Sequence, residues 1–214
     1  MIVESSFYCQ LRAISVPLLA RLICGVTSSA IVLKNLGRFS EFEEGPYLEK
    51  FFSYVAALHK GTVPLQKRRF DLRNSQVFVT VDPTGKISVI EETDIIVDPD
   101  EVYFPAYSLE LGYDHRASRY IFDHFSLNAE LVRFGLEELR EKFVTGVMKY
   151  FLPSTVYVGS TGRIGSHIVV VQRFDDSYIE YVDPVVPDFS SAQKRVSVED
   201  FAKIYRGFGT AVYA

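Results

Sequence analysis

The 214-residue chain contains no tryptophan and only two cysteines, Cys9 and Cys24. Two cysteines cannot form a disulfide framework, and because no C-x-x-C pair is present the common zinc motifs are excluded. No apolar stretch approaches the roughly 18 uninterrupted residues that cross a bilayer. The apolar start is interrupted by Glu4, Arg12 and Arg21 and lacks the basic first part of a signal peptide. These absences predict a soluble, cytoplasmic protein without a bound metal or a membrane partner.

Acidic side chains slightly outnumber basic ones, with 27 Asp and Glu against 23 Lys and Arg and a net charge of -4. This balance argues against a protein that holds nucleic acid. The hydrophobic fraction of 48% includes 17 Phe and 13 Tyr, which is enough for the core of one globular domain. The basic run QKRRFDLR, residues 66–73, is short, so we expect a solvated loop or strand edge there, with a docking site as the alternative.

Hydrophobic periodicity predicts helices in the first part of the chain. Apolar residues three and four positions apart indicate a helix from Cys9 to about Cys24, which Gly25 would terminate. Pro17 interrupts this run, so the helix kinks there or a second helix begins with Ser15 as its cap. A second helix is predicted over residues 43–61. Residues 76–92 alternate in polarity on both sides of the turn sequence DPTG and predict a β-hairpin.

The second half of the chain turns from helix to strand. Residues 126–151 predict one or two helices, with Gly135 as a break between them. Strands, one capped helix and a closing strand follow Pro153, in the order STVYVGS, SHIVVVQRF, YIEYVDP, VSVEDFAKIYRG and GTAVYA. Helices that come first and a sheet that comes last indicate an α+β fold.

The two cysteines differ in their predicted surroundings. A helix from Cys9 to Cys24 has a partial positive charge at its start, which stabilises a thiolate, and a partial negative charge at its end. We therefore expect Cys24 to belong to the core. For Cys9 two interpretations stay open, a buried structural residue and a nucleophile.

His167 and Asp183 occupy matching ends of two neighbouring predicted strands. His167 opens the apolar run IVVVQRF, and Asp183 ends the strand that follows it in the hairpin. Hairpin register would bring the carboxylate to the imidazole, where it would accept an N–H and fix the tautomer. The alternative for Asp183 is an ordinary turn, because Asp-Pro also occurs at Asp82 and Asp98, where turns are expected.

The segments RIGSHIVVVQRFDDSYIEYVDP and RVSVEDFAKIYRGFGTAVYA, together with the order Cys, His, Asp, resemble papain-like cysteine peptidases of the double-glycine leader-peptide type. The resemblance covers residues 136–214 and, loosely, the first helix. It implies a papain-like fold in which an N-terminal helix packs on a C-terminal antiparallel sheet, with residues 34–128 as an insertion in a single domain. It also implies that Cys9 is the nucleophile, His167 the general base and Asp183 its orienting group, in hydrolysis of a peptide or amide or in acyl transfer from it.

Two positions depart from the pattern of that family. The family has a glutamine six residues before the cysteine, where this chain has Val3, and a glycine after it, where this chain has Gln10. Loss of one oxyanion donor costs about 10²–10³-fold in rate, and Gln10, Ser5 or Ser6 are the candidates to replace it. The alternative function is a catalytically degenerate papain-like module that binds a partner protein. For the enzyme we expect a peptide or protein substrate and no cofactor.

Two further motifs are weaker candidates for chemistry. The pairs Asp114–His115 and Asp123–His124 contain metal-ligand residue types, but the spacing of their histidines fits no standard motif, so satisfied or surface histidines are expected. The glycine-rich run GSTGRIGS lacks the Lys and Ser/Thr of a phosphate loop and leads into a strand. We expect it to be a loop beside the cleft before His167.

Overall fold

The computed structural model describes residues 1–12, 23–38, 67–72, 75–81, 87–91, 107–108, 112–113, 115–158 and 164–213. A single 3₁₀ turn at Glu4–Ser6 precedes the described helices, which are α1 (Cys24–Asn35), α2 (His115–His124), α3 (Leu136–Val144), α4 (Phe189–Ala192) and α5 (Val198–Ile204). The described strands are β1 (Lys67–Leu72), β2 (Ser75–Val81), β3 (Ile87–Glu91), β4 (Tyr107–Ser108), β5 (Gly112–Tyr113), β6 (Ala129–Val132), β7 (Met148–Val158), β8 (Ile164–Ile168), β9 (Val170–Phe174), β10 (Tyr178–Val182), β11 (Gln193–Ser197) and β12 (Tyr205–Tyr213). None of these helices has the length and apolar content that crossing a membrane requires.

A seven-stranded antiparallel sheet forms the centre of the described fold. Six of its strands lie in the order β11-β10-β9-β7-β12-β6, and β8 pairs with β7 beside this path. Smaller antiparallel sheets contain β1-β2-β3 and β4-β5. The described residues therefore form an α+β fold with an antiparallel sheet, as the order of predicted elements indicated.

The two faces of the large sheet carry different helices. Tyr150 of β7 turns its hydroxyl to Asn35 of α1, at 2.6 Å. The next residue, Phe151, packs instead into the cluster that contains Leu139 of α3 and Phe201 of α5. Because successive side chains of a strand point to opposite faces, α1 lies on one face of the sheet and α3 and α5 lie on the other.

The first twelve residues are fixed to the rest of the fold at both ends. The backbone N–H of Ile2 donates to Oε1 of Gln172 at 2.6 Å, and the backbone N–H of Gln10 donates to the carbonyl oxygen of Pro184 at 2.8 Å. Ile2 and Gln10 are both buried. The segment 1–12 therefore reaches the residue that directly follows Asp183.

The predicted helix from Cys9 to Cys24 is wrong at both ends. Residues 10–12 form a turn, and the helix that contains Cys24 begins there and runs to Asn35. Gly25 lies in the first turn of α1 and does not terminate a helix. Every residue from Cys24 to Leu33 is buried, so α1 has no polar side, and periodicity reveals only helices that have one. Residues 13–22 and the predicted helix at 43–61 lie outside the described residues.

The prediction for residues 126–151 is right only in its middle. Gly135 is the N-cap of α3, which ends at Val144. The flanking stretches are strands, β6 before the helix and β7 after it, and both pair with β12. The helix prediction is therefore wrong at β6 and at the start of β7, because their common partner β12 lies more than fifty residues away in the chain.

Several predictions from local sequence are confirmed. Within the predicted hairpin at 76–92, strands β2 and β3 pair antiparallel, with Val77 opposite Glu91, while the turn sequence between them lies outside the described residues. Part of the basic run 66–73 forms β1 at an edge of the three-stranded sheet. The turn DDS joins β9 to β10, and the Ser197 hydroxyl caps α5 by accepting the backbone N–H of Asp200. The segment GTAVY of the predicted closing strand belongs to β12, a nine-residue strand.

Candidate active site

His167 and Asp183 meet at the junction of β8, β9 and β10. Val182, the last residue of β10, lies opposite Val170, the first residue of β9, so Asp183 leaves its strand just beyond the end of β8. His167 Nε2 and Asp183 Oδ1 are 2.7 Å apart, and the two side chains are 8% and 18% exposed. Hairpin register thus brings the two predicted residues together.

The carboxylate of Asp183 is held in place by the backbone around it. Its Oδ1 also accepts the backbone N–H of Val185 at 3.0 Å, and its own backbone N–H donates to the carbonyl oxygen of Ala192 at 2.9 Å. These bonds fix the carboxylate from both sides of the turn that contains Pro184. It is therefore oriented toward the imidazole before any ligand binds.

The thiol that contacts His167 belongs to Cys24, and the prediction of Cys9 as the partner of His167 is corrected. Cys24 is the first residue of α1, and its sulfur is hydrogen-bonded to the His167 ring and to the backbone N–H groups of Ile168 and Gly25. Cys24 is buried in the core, as predicted, but the prediction that it lies at the negative end of a helix is wrong, because it lies at the positive end. Cys9 is buried beside the turn at residues 10–12.

The electrostatics of this group favour a charged thiolate and imidazolium. Burial alone would raise the pKa of the Cys24 thiol, but the hydrogen bond and charge of His167, with the two backbone N–H groups, lower that pKa below its ordinary value. Burial alone would lower the pKa of His167, but the hydrogen bonds and negative charges of Asp183 and Cys24 raise it to about 10. Burial also opposes the charge on Asp183, yet the contact with His167 keeps the pKa of Asp183 below its usual range.

The imidazole contacts both a carboxylate and a thiol. Asp183 lies on its Nε2, and the thiol of Cys24 is hydrogen-bonded to the same ring. A carboxylate on one ring nitrogen stabilises a proton on the ring, and a thiol on the other can give up its proton to it. A thiol beside such an imidazole can serve as a nucleophile, and the protonated ring can return the proton.

The other two predicted site residues lie in the N-terminal segment. Gln10 is 2% exposed, and its backbone N–H bonds the carbonyl of Pro184, so it lies beside the turn that carries Asp183. Ser6 is buried in the 3₁₀ turn, where its backbone N–H donates to the Val3 carbonyl oxygen at 3.0 Å. The described contacts bring Gln10, and not Ser6, to the turn that carries Asp183.

The histidines considered as metal ligands have different surroundings. His115 is buried at the start of α2, with Nδ1 3.1 Å from Thr210 Oγ1 and Nε2 3.3 Å from Ser154 Oγ. His124 ends the same helix and lies edge-on to the ring of Phe125. Asp114 lies outside the described residues, and within the described ranges no three His, Cys, Asp or Glu side chains are grouped to hold a metal ion.

Neither a scan against protein-family models nor a search of curated proteins finds a match to this chain. The functional interpretation therefore depends on the geometry of Cys24, His167 and Asp183. A thiol, an imidazole and a carboxylate in that order form a group that activates sulfur as a nucleophile.

Proposed function

We propose that this protein is a papain-like cysteine peptidase or a related acyltransferase, with Cys24 as the nucleophile, His167 as the general acid and base, and Asp183 as the orienting group. The observation that carries the proposal is the hydrogen bond between the Cys24 thiol, at the start of a buried helix, and an imidazole held by a carboxylate at 2.7 Å. An ordinary buried cysteine needs neither of these neighbours.

The proposed reaction has two steps. The thiolate of Cys24 attacks the carbonyl carbon of a peptide or amide, and the C–N bond breaks as protonated His167 gives its proton to the leaving amine. The acyl group is then a thioester on Cys24. Water, or an amine acceptor, attacks this thioester while His167 takes its proton, and the C–S bond breaks to release the product and restore the thiolate.

The choice of Cys24 also agrees better with the resembled family than the choice of Cys9. That family has a glycine after the cysteine, and Gly25 follows Cys24. The glutamine expected six residues before the cysteine is still missing, because Leu18 stands there. Gln10 is our candidate for the missing oxyanion donor, because its backbone is bonded to the turn that carries Asp183.

The proposal is tested by the reactivity of the two cysteines. We expect iodoacetamide to label Cys24 near neutral pH, as read by intact-protein mass spectrometry, because its neighbours lower the pKa of its thiol. His167→Ala should slow this labelling strongly, and Cys24→Ser should abolish it. Cys9→Ser, which removes the other buried cysteine, is the matched control and should leave it unchanged. Labelling of Cys24 only near the ordinary thiol pKa of about 8.5 would contradict an activated nucleophile.

Turnover is tested separately with a mixture of synthetic peptides analysed by mass spectrometry. New peptide termini that form with wild type, and not with Cys24→Ser, are the result expected of a peptidase. The second candidate function, a degenerate module that binds a partner protein, is favoured by Leu18 in place of the glutamine. A folded protein whose Cys24 is no more reactive than an ordinary thiol would support that candidate.

A further inference from the structure

One residue of β8 connects the helix that carries the thiol to the strand that carries the imidazole. The backbone N–H of Ile168 bonds the sulfur of Cys24. The carbonyl oxygen of the same residue accepts the hydroxyl of Ser28 at 3.1 Å. Cys24 and Ser28 are four residues apart in α1, so they lie on one side of the helix and one turn from each other. Helix α1 therefore binds both backbone groups of Ile168.

The geometry of a β-strand allows both backbone groups of Ile168 to face α1. The N–H and the C=O of one strand residue point to the same side of the strand, as they do when two residues exchange both bonds in an antiparallel pair. Ile168 turns this side to α1, and Ser28 takes the place that a neighbouring strand would occupy. Ser28 is fully buried and Ile168 is 4% exposed, so water does not replace the hydroxyl when it is removed.

A second hydroxyl holds the same stretch of β8 from the other side. Thr155 of β7 is opposite His167 in the register, and its Oγ1 donates to the His167 carbonyl oxygen at 3.0 Å. Thr155 is also buried. Consecutive carbonyl groups of His167 and Ile168 are thus each bonded by a side-chain hydroxyl, one from the sheet and one from α1.

We infer that Ser28 and Thr155 are positioning residues, which hold His167 and the Ile168 N–H against the sulfur of Cys24. The inference rests on the proposed role of Cys24 as nucleophile. Each hydroxyl donates to a backbone carbonyl of β8 and acts through that strand. Without them the strand can shift relative to α1, the two hydrogen bonds to the sulfur lengthen, and the thiolate loses stabilisation.

The test is a pH titration of the Cys24 thiolate, followed by its ultraviolet absorbance in the Cys9→Ser background, where Cys24 is the one cysteine left. We expect Ser28→Ala to raise the midpoint by about one pH unit, the size that the loss of one hydrogen bond corresponds to. Thr155→Val, which keeps the shape of the side chain, should raise it in the same direction. If Ser28→Ala does not fold, the Thr155→Val variant alone tests the inference.

The matched control is Thr27→Val. Thr27 is equally buried and is the residue before Ser28 in α1, but its hydroxyl has no hydrogen-bond partner among the described residues. Only Ser28→Ala should move the titration midpoint, and urea denaturation reports any loss of stability separately. A structural role alone would lower the stability of Ser28→Ala and leave both midpoints in place.

The outcomes separate the two proposals. Suppose that Cys24 of the Cys9→Ser protein titrates below the ordinary thiol pKa and that neither Ser28→Ala nor Thr155→Val moves this midpoint. The positioning inference is then overturned while the proposed nucleophile stands. An equal shift in Thr27→Val would overturn it as well. If Cys24 of the Cys9→Ser protein titrates near the ordinary thiol pKa of about 8.5, the proposed function fails, and the inference that rests on it fails too.

Discussion

The charge of Asp183 can be separated from its ability to orient His167 by the substitution Asp183→Asn. The carboxylate oxygen Oδ1 accepts both the imidazole Nε2 at 2.7 Å and the backbone N–H of Val185 at 3.0 Å. An amide oxygen in the same place can still accept both bonds. The substitution therefore keeps the orientation of the ring and removes the negative charge that stabilises its proton.

The size of the effect follows from the strength of a charged hydrogen bond. Bonds to charged groups contribute about 1.5–3 kcal/mol and neutral ones about 0.5–1.5 kcal/mol, so the imidazolium loses on the order of 1–1.5 kcal/mol. One pH unit corresponds to about 1.4 kcal/mol. The pKa of His167 should therefore fall from its raised value of about 10. Because the imidazolium stabilises the thiolate, the titration midpoint of Cys24 should rise by about one unit.

The assay is the thiolate titration in the Cys9→Ser background, with iodoacetamide labelling as a second readout. Asp188→Asn is the control, because Asp188 lies in the same connecting segment and caps α4 by accepting the Ser191 N–H at 2.9 Å, away from His167. Asparagine caps helices as well as aspartate does, so this variant should change neither midpoint nor stability. A midpoint that stays in place in Asp183→Asn would refute the electrostatic reasoning and reduce Asp183 to an orienting group.

Two further predictions concern the scaffold of the site. A Cβ added at Gly209 of β12 would lie 2.5 Å from the Leu152 carbonyl oxygen, so Gly209→Ala should lower the free energy of unfolding by about 1–3 kcal/mol in urea denaturation. Gly135→Ala, where the added carbon meets nothing within 4 Å, should stay within about 0.5 kcal/mol; equal losses in the two variants would contradict the packing argument. Ser197→Ala removes the hydroxyl that accepts the Asp200 N–H at 3.0 Å at the start of α5 and should cost about 1 kcal/mol in the same assay. Retained stability would show that the cap contributes nothing.

The contact between His167 and Asp183 was predictable because it is local. The two residues lie on strands joined by a short turn, and the polar sequence DDS between alternating runs indicates such a hairpin. Asp175 stabilises this turn by accepting the backbone N–H groups of Ser177 and Tyr178. Once the turn is fixed, strand register determines which residues lie opposite each other.

The strands on either side of α3 were not predictable in this way. Leu131 of β6 pairs with Thr210 of β12, and Leu152 of β7 pairs with the same residue from the other side. These partners are more than fifty residues away in the chain. Strand preference depends strongly on packing against such neighbours, and the local sequence 126–151 carries no sign of them.

The start of α1 was missed although its end carries a clear sequence signal. Gly37 adopts a φ of 68°, and its N–H bonds the Lys34 carbonyl oxygen, while the N–H of Arg38 reaches back to the carbonyl oxygen of Leu33 at 2.8 Å. This is the glycine-terminated helix end known as the Schellman motif. A helix of about three turns that ends before Gly37 begins near Cys24.

The identity of the proposed nucleophile depends on the residue at which a single helix begins. The rule that a helix stabilises a thiolate at its N-terminus selected Cys9 when Cys24 was taken as the last residue of the helix. The same rule selects Cys24 now that α1 is seen to begin there. The backbone N–H of Gly25, predicted to lie beyond a helix end, becomes one of the donors to the sulfur. A displaced boundary leaves the fold class intact, but it reverses the sign of the charge at the thiol and so changes which cysteine we propose as the nucleophile.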